Sequence, residues 1–308
     1  MKKKTILWAF DPFQQNQKII KNMLKELEAL AQAGTAAVQP VYIASPAELA
    51  LATSFHFPRD QRIKRAAIDA CGKALAKVRR LTQLTIAPIK IIDTKSRSST
   101  EHAKLLAQAA QKQKAWVTVV ATQSKGPAQR FFLGSFAESL LFQAQTPVLL
   151  VGPRSSMKKA RKIFFASDLS SQSFRALKKV LEMADAMKAS ISVYHAISTS
   201  PLWTASSDPL MMAESTAFLN SYRKHEVKRA ERQMKRIAQV IRRAGLKVTT
   251  KVALAPGHLA EGIVNQSQKQ KASWVAVSSQ STPLKAFFLG STARAIIRRA
   301  DQPVLILR

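Results

Sequence analysis

The segment Phe131-Phe132-Leu133-Gly134-Ser135 recurs as Phe287-Phe288-Leu289-Gly290-Ser291, and Pro147-Val148-Leu149 recurs as Pro303-Val304-Leu305, at an offset of 156 residues in both cases (131 to 287, 147 to 303). Two matches at one offset mark a duplication. Gln111-Lys112-Gln113-Lys114-Ala115 before Trp116 is echoed by Gln268-Lys269-Gln270-Lys271-Ala272 before Ser273-Trp274, with the small length changes that loops tolerate. The expected organisation is one domain over residues 1–153 and a second over 158–308, joined by a short, basic linker from Arg154 to Lys159. At 308 residues, each copy is long enough to bury its own core.

Within each copy, short β-branched runs alternate with amphipathic stretches. In the first copy the runs are Thr5 to Phe10, Ala37 to Ile43, Thr85 to Ile92, Trp116 to Ala121 and Pro147 to Val151. In the second they are Ile163 to Ala166, Ser190 to Ala196, Lys247 to Ala253, Trp274 to Ser278 and Pro303 to Leu307. They lack polar alternation, as strands covered on both faces do, and the stretches between them are long enough for parallel crossovers. The fold class that follows is α/β, with five strands and four helices per copy in a doubly wound sheet. Ser170 or Ser171 is placed to cap a helix whose buried face takes in Phe174, Leu177, Val180, Leu181 and Ala184. Gly34 and Gly245 stand where helix ends call for left-handed backbone.

Composition narrows the class. An apolar share of 46% with 9 Gly and 13 Pro belongs to an ordered chain. The one cysteine, Cys71, excludes an intrachain disulfide and sits in an Ala-rich helical stretch, where it reads as core. Asp11 and Pro12 cut the first apolar run short of a secretory h-region, and no run reaches membrane-spanning length, so the expected location is cytoplasmic and no membrane partner is expected. Lys and Arg total 49 against 18 Asp and Glu, a net +31. Residues 1–153 carry 22 basic and 9 acidic residues and the rest carry 27 and 9, so along the sequence the charge is shared between the copies. That even split argues for solvated helix faces over a one-sided nucleic-acid stripe, with non-specific nucleic-acid contact kept as an alternative. The helix read from about Ala213 to Ala244 shows the same pattern, with apolar Phe218, Tyr222, Val227, Met234, Ile237 and Ile241 on one face and bases around the rest.

Phe164-Phe165-Ala166-Ser167-Asp168 with Ala176-Leu177 on the following helix, His195 closing the next strand, and the Phe-Phe-Leu-Gly-Ser to Pro-Val-Leu block in each copy resemble the universal stress protein family in its tandem form. The resemblance spans nearly the whole chain. It implies two five-stranded sheets of order 3-2-1-4-5 in the adenine nucleotide α-hydrolase-like arrangement. It also implies pairing of the copies through their last strands as an intrachain pseudo-dimer, with a homodimer of the whole chain as a further expectation. In nucleotide-binding members, the resemblance places ATP at the switch point between strands one and four. There an Asp ends the first strand, here Asp11 and Asp168, and a Gly-x2-Gly-x9-Gly-Ser/Thr loop takes the phosphates.

Both copies depart from that loop. Its first two glycines correspond to Ala121 and Ser124 in the first copy and to Ser278 and Ser281 in the second, and Pro127 replaces a further glycine. Side chains then stand where phosphate needs bare backbone, and a proline removes an amide donor. Gly134-Ser135 and Gly290-Ser291 survive as helix starts, and Lys125, Gly126 and Arg130 keep some anion-binding chemistry. The candidate binding residues are therefore Asp11, Ala121, Ser124, Lys125, Gly126, Arg130, Gly134 and Ser135, with Asp168, Ser278, Ser281, Gly290 and Ser291. No cofactor follows firmly; ATP or another small anion is the candidate ligand. His56, His102, His195, His225 and His258 lack metal-ligand spacing, and no catalytic carboxylate pair, nucleophile elbow or Walker motif is present. The expectation is a non-enzymatic stress-response protein that binds a ligand or partner. The alternatives are a nucleotide-binding protein with weak ATPase activity and a basic nucleic-acid-associated protein.

Overall fold

The structure, a computed structural model, describes residues 4–44, 60–122, 134–155, 161–198, 209–255, 258–278 and 290–307. Among them the first copy runs β1 (Thr5–Ala9), α1 (Gln17–Gly34), β2 (Ala37–Ala44), α2 (Asp60–Arg79), β3 (Lys90–Asp93), α3 (Ser99–Lys112), β4 (Val117–Ala121), α4 (Ser135–Gln143) and β5 (Val148–Val151). The second runs β6 (Lys162–Ala166), α5 (Ser171–Ala186), β7 (Ser190–Ser198), α6 (Pro209–Arg243), β8 (Val248–Ala255), α7 (Leu259–Lys269), β9 (Trp274–Ser278), α8 (Ser291–Arg299) and β10 (Val304–Leu307).

All ten strands form one sheet of order β3-β2-β1-β4-β5-β10-β9-β6-β7-β8. Each half reads 3-2-1-4-5 from its outer edge inward, and pairing is parallel except between β5 and β10. At that antiparallel seam Leu149 faces Leu305, the same residue of the two repeats, so the pseudo-two-fold passes between them. The retained Pro-Val-Leu is thus the joint of the molecule. The pleat sends Leu149, Val151, Leu305 and Leu307 into one core with α1, α2, α5 and α6. Val148, Leu150, Val304 and Ile306 enter the other with α3, α4, α7 and α8. Equivalent helices of the two copies therefore share a face of the sheet.

Polar contacts fasten the halves. Lys4 Nζ lies 3.1 Å from Glu182, Arg154 Nε 3.1 Å from Asp301, and Trp274 Nε1 donates to Glu26 Oε2 at 2.8 Å. Glu138 and Arg294, which occupy the same position in the two repeats, meet at 3.4 Å. Pairing two copies of either repeat would instead oppose two carboxylates or two guanidiniums there. Divergence at this site suits a heterologous, intrachain pairing.

Local signals account for most elements. Asn16 caps α1 by accepting from the amides of Lys18 and Ile19, and Ser170 caps α5 by accepting from Ser173 N at 3.2 Å. Phe174 does not join the core face of α5 as expected; it is 39% exposed, one residue past the buried Ser173. The expected run Thr85 to Ile92 splits, with Ile86 making an isolated bridge to Val38 and β3 beginning only at Lys90. Pro88 lies between them and cannot donate to a ladder. On α6, Met234, Ile237 and Ile241 are buried as expected, but Tyr222 is 57% exposed, and the side chain of Phe218 lies outside the described residues. Cys71 is fully buried in the core, and burial pushes its thiol up to about 12, so it is an inert core residue in the folded chain.

Gly245 adopts the left-handed backbone expected of it, with φ of 76°. Gly34 does not: Thr35 takes the left-handed position, with φ of 47°, and Gly34 is needed for a different reason. A Cβ there would lie 2.7 Å from Cζ3 of the Trp116 indole, which packs over the last turn of α1. Gly34→Ala is expected to destabilise the chain by ~1–3 kcal/mol through overpacking despite the better helix propensity of alanine, measured as a lower urea midpoint at constant m.

Candidate functional site

The strand order reverses direction between β1 and β4 and again between β6 and β9, and each reversal opens a cleft at the carboxyl ends of the strands. The first cleft encloses about 470 Å³ and the second about 320 Å³. Parallel strands bring the cleft residues together because their carboxyl ends all lie along one edge.

In the first cleft, Val41, Ile43 and Val120 form an apolar floor, with Phe10, Phe13 and Phe136 around it. Phe13 meets Tyr42 edge-on at a centroid distance of 6.4 Å. Of the expected residues, Asp11 and Ala121 line this cleft, and Gly134-Ser135 begin α4 beside Phe136. Asp11 accepts from Phe13 N at 2.9 Å, and desolvation of its carboxyl outweighs that bond and raises its pKa. Ser124, Lys125, Gly126 and Arg130 lie outside the described residues. His102, read from sequence as an isolated histidine, lines the cleft instead. It is buried, and its Nε2 donates to Ser96 O at 2.8 Å. Its position on the first turn of α3, just after the Ser98 cap, was the available signal.

The second cleft is more polar. Of the candidate residues, Asp168, Ser278, Gly290 and Ser291 line it; Ser281 lies outside the described residues. Asp168 is exposed, and its Oδ1 accepts from Ser170 N at 3.0 Å and from the Ser173 hydroxyl, which ties it to the start of its own helix. Ser173 Oγ also lies 2.9 Å from Ser278 Oγ, so the serine that replaces the first loop glycine closes a chain from α5 to β9. His195 donates through Nδ1 to Ser167 O at 2.8 Å, tying the end of β7 to that of β6.

Gly290 caps α8 in extended backbone with no side-chain hydrogen bond, and Gly134 does the same for α4. A Cβ at Gly290 would meet nothing within 4 Å among the described residues. Gly290 and Ser291 line the cleft, and the first amides of α8 point along the helix axis at its mouth. Among the described residues, no three His, Cys, Asp or Glu gather in a metal-binding group, and no helix is long and apolar enough to cross a membrane.

A continuous sheet with two switch-point clefts, each facing a helix that starts on Gly-Ser, defines a duplicated, doubly wound α/β protein. The universal stress protein family model matches residues 3–152 and again 159–308, and the chain belongs to that family as a tandem of two such units. Solved structures agree on the fold. A functionally unknown protein from Pseudomonas aeruginosa PAO1 is 15% identical with a TM-score of 0.62, over 99% of this chain and 92% of its own. A universal stress protein from Archaeoglobus fulgidus DSM 4304 is 14% identical with a TM-score of 0.61, over 98% of this chain and 96% of its own. No curated protein matches the chain.

Proposed function

We propose that the chain is a non-enzymatic stress-response protein that binds a ligand or partner and does not take ATP in the usual family pose. The observation that carries this reading is the Asp168–Ser173–Ser278 chain at the second switch point. The carboxylate expected to meet an adenine is engaged by its own helix, and a hydroxyl stands where the phosphate loop needs bare glycine backbone. The first cleft diverges in the opposite sense. Its Phe10, Phe13, Tyr42 and Phe136 suit a ligand with an apolar or aromatic body and little charge. Domain limits of 1–153 and 158–308 accompany this reading, each unit carrying one cleft.

Isothermal titration of the full chain with ATP and Mg²⁺ tests it. The expected result is a dissociation constant weaker than ~100 μM, that is, a binding free energy smaller than ~5.5 kcal/mol in magnitude. A low-micromolar isotherm with one or two sites would overturn it. The second reading, a nucleotide-binding protein with weak ATPase activity, draws support from the start of α8 at Gly290 and Ser291, which lines the second cleft. Phosphate release over many turnovers, lost on substitution of Asp11 or Asp168, would establish that reading instead.

A further inference from the structure

The net charge of +31 is shared evenly along the sequence but not around the fold. The pseudo-two-fold puts α1 and α2 of the first copy on the same side of the sheet as α5 and α6 of the second. The first three turn exposed cations outward, Lys18, Lys21 and Lys25 on α1, Arg65, Lys73, Lys77 and Arg79 on α2, Arg175 and Lys178 on α5, against Glu28, Asp69, Glu182 and Asp185. Helix α6 adds eight exposed Lys and Arg side chains among its described residues, against only Glu226 and Glu231. Of these, Lys224, Lys228, Arg232 and Arg236 stand four apart, a ridge ~18 Å long with one cation per turn. Like charges at that spacing destabilise a helix, so the ridge costs stability unless an anion meets it.

The opposite layer is different. On α3, α4, α7 and α8 the described cations are Lys104, Lys112, Lys269, Arg294, Arg298 and Arg299, against Glu101, Glu138 and Glu261. Two of those carboxylates are paired, Glu101 with Lys104 at 3.7 Å and Glu138 with Arg294 at 3.4 Å. Among the described residues of the helices the excess positive charge is therefore concentrated on the α1–α2–α5–α6 face, although it is shared between the halves along the sequence.

We infer that this face, centred on the α6 ridge, binds the phosphodiester backbone of nucleic acid, without reading sequence. Charge complementarity selects the partner. A phosphate chain offers regularly spaced anions and asks for no apolar contact. A lipid surface would want an outward apolar stripe, and α6 has committed its own, Met234, Ile237 and Ile241, to the core beneath it. The exposed Tyr222, Val240, Phe174 and Ile68 are single residues spread over three helices and form no such stripe. The inference is independent of either cleft.

Fluorescence anisotropy of the full chain with a labelled DNA duplex of about 24 base pairs, and with a single-stranded RNA of equal charge, tests it over a salt series. The triple variant Lys228→Gln, Arg232→Gln, Arg236→Gln is compared with Lys104→Gln, Lys269→Gln, Arg298→Gln, which removes the same charge from the other face. Binding is expected in ~50 mM salt. The ridge variant should weaken it ~10-fold or more and reduce the slope of log K against log salt by ~2–3, while the control changes it less than ~2-fold. The DNA and RNA arms show which backbone is preferred. Equal losses in the two variants would reduce the effect to net charge and overturn the inference. So would no binding to either nucleic acid at about 10 μM protein, or binding to phosphatidylcholine vesicles containing phosphatidylglycerol that the duplex cannot displace.

Discussion

Glu26→Gln is expected to stabilise the chain by about 3 kcal/mol at pH 8 while leaving its stability near pH 4 almost unchanged. Glu26 is 2% exposed on the inner face of α1, and burial pushes its carboxyl from 4.5 up to about 7. The indole hydrogen bond from Trp274 and the charges of Arg161 and Lys25 offset only part of that burial. Below the ordinary value the carboxyl is neutral in both the folded and unfolded chain. Between 4.5 and about 7 the folded chain keeps a proton that the unfolded chain has released, so stability falls as pH rises. Above about 7 the loss is complete, and the ionised carboxylate is held in the core at full cost. Glutamine reproduces the neutral form, and its amide oxygen still accepts from the indole. Urea unfolding at pH 4, 6 and 8 checks this: the wild-type curve should decline across that interval and the variant's should lose this component. Equal stabilities at pH 8 would show that Glu26 folds as an unstrained carboxylate.

Much of the architecture was legible because it depends on short-range patterns. The strand runs follow from β-branched residues and the α5 cap from Ser170, whereas the joint through the last strands was implied by the family resemblance, and the repeated Pro-Val-Leu flanks it. Where the reading failed, the deciding contact came from elsewhere in the chain. Gly34 was assigned to backbone geometry because helix ends commonly need it, whereas the constraint is the indole of Trp116, more than eighty residues on. The significance of Ser278 was read as obstruction alone; its link to Ser173 and Asp168 depends on α5 and β9 meeting at one edge of the sheet. His102 carried no motif and entered the site only through the crossover that sets α3 over β2 and β4. The distribution of charge around the fold was not legible in the sequence for a topological reason. Halves of a sequence are not faces of a fold, and an axis through an antiparallel seam sums equivalent helices on one side. The candidate residues at Ser124 to Arg130 and at Ser281 lie outside the described residues, and the loop glycines remain a sequence argument.

Trp274→Ala is expected to be the most damaging single change, costing ~4–5 kcal/mol or more, because two separate losses coincide. The indole is 1% exposed on β9, and the residue in its register position in the first copy is Val117, since Ile6 pairs with Val117 as Ile163 pairs with Trp274. A valine-sized space therefore serves in one half, while in the other a far larger ring reaches across to α1 of its neighbour. Truncation opens a cavity beneath α1 and also leaves the Glu26 carboxyl without its indole donor. Trp274→Phe separates the terms by keeping most of the ring while removing the N–H. It should cost less than alanine, and the lost hydrogen bond should let the Glu26 carboxyl rise further, since that bond lowers it in the wild type. The decline of stability with pH should then continue above pH 7 in Trp274→Phe and vanish in the double variant with Glu26→Gln. Additive single and double effects in a pH 8 cycle would show that the two residues pack without coupling. A coupling of ~1 kcal/mol or more would make this pair, present in one orientation only, part of what distinguishes the intrachain joint from a symmetric dimer.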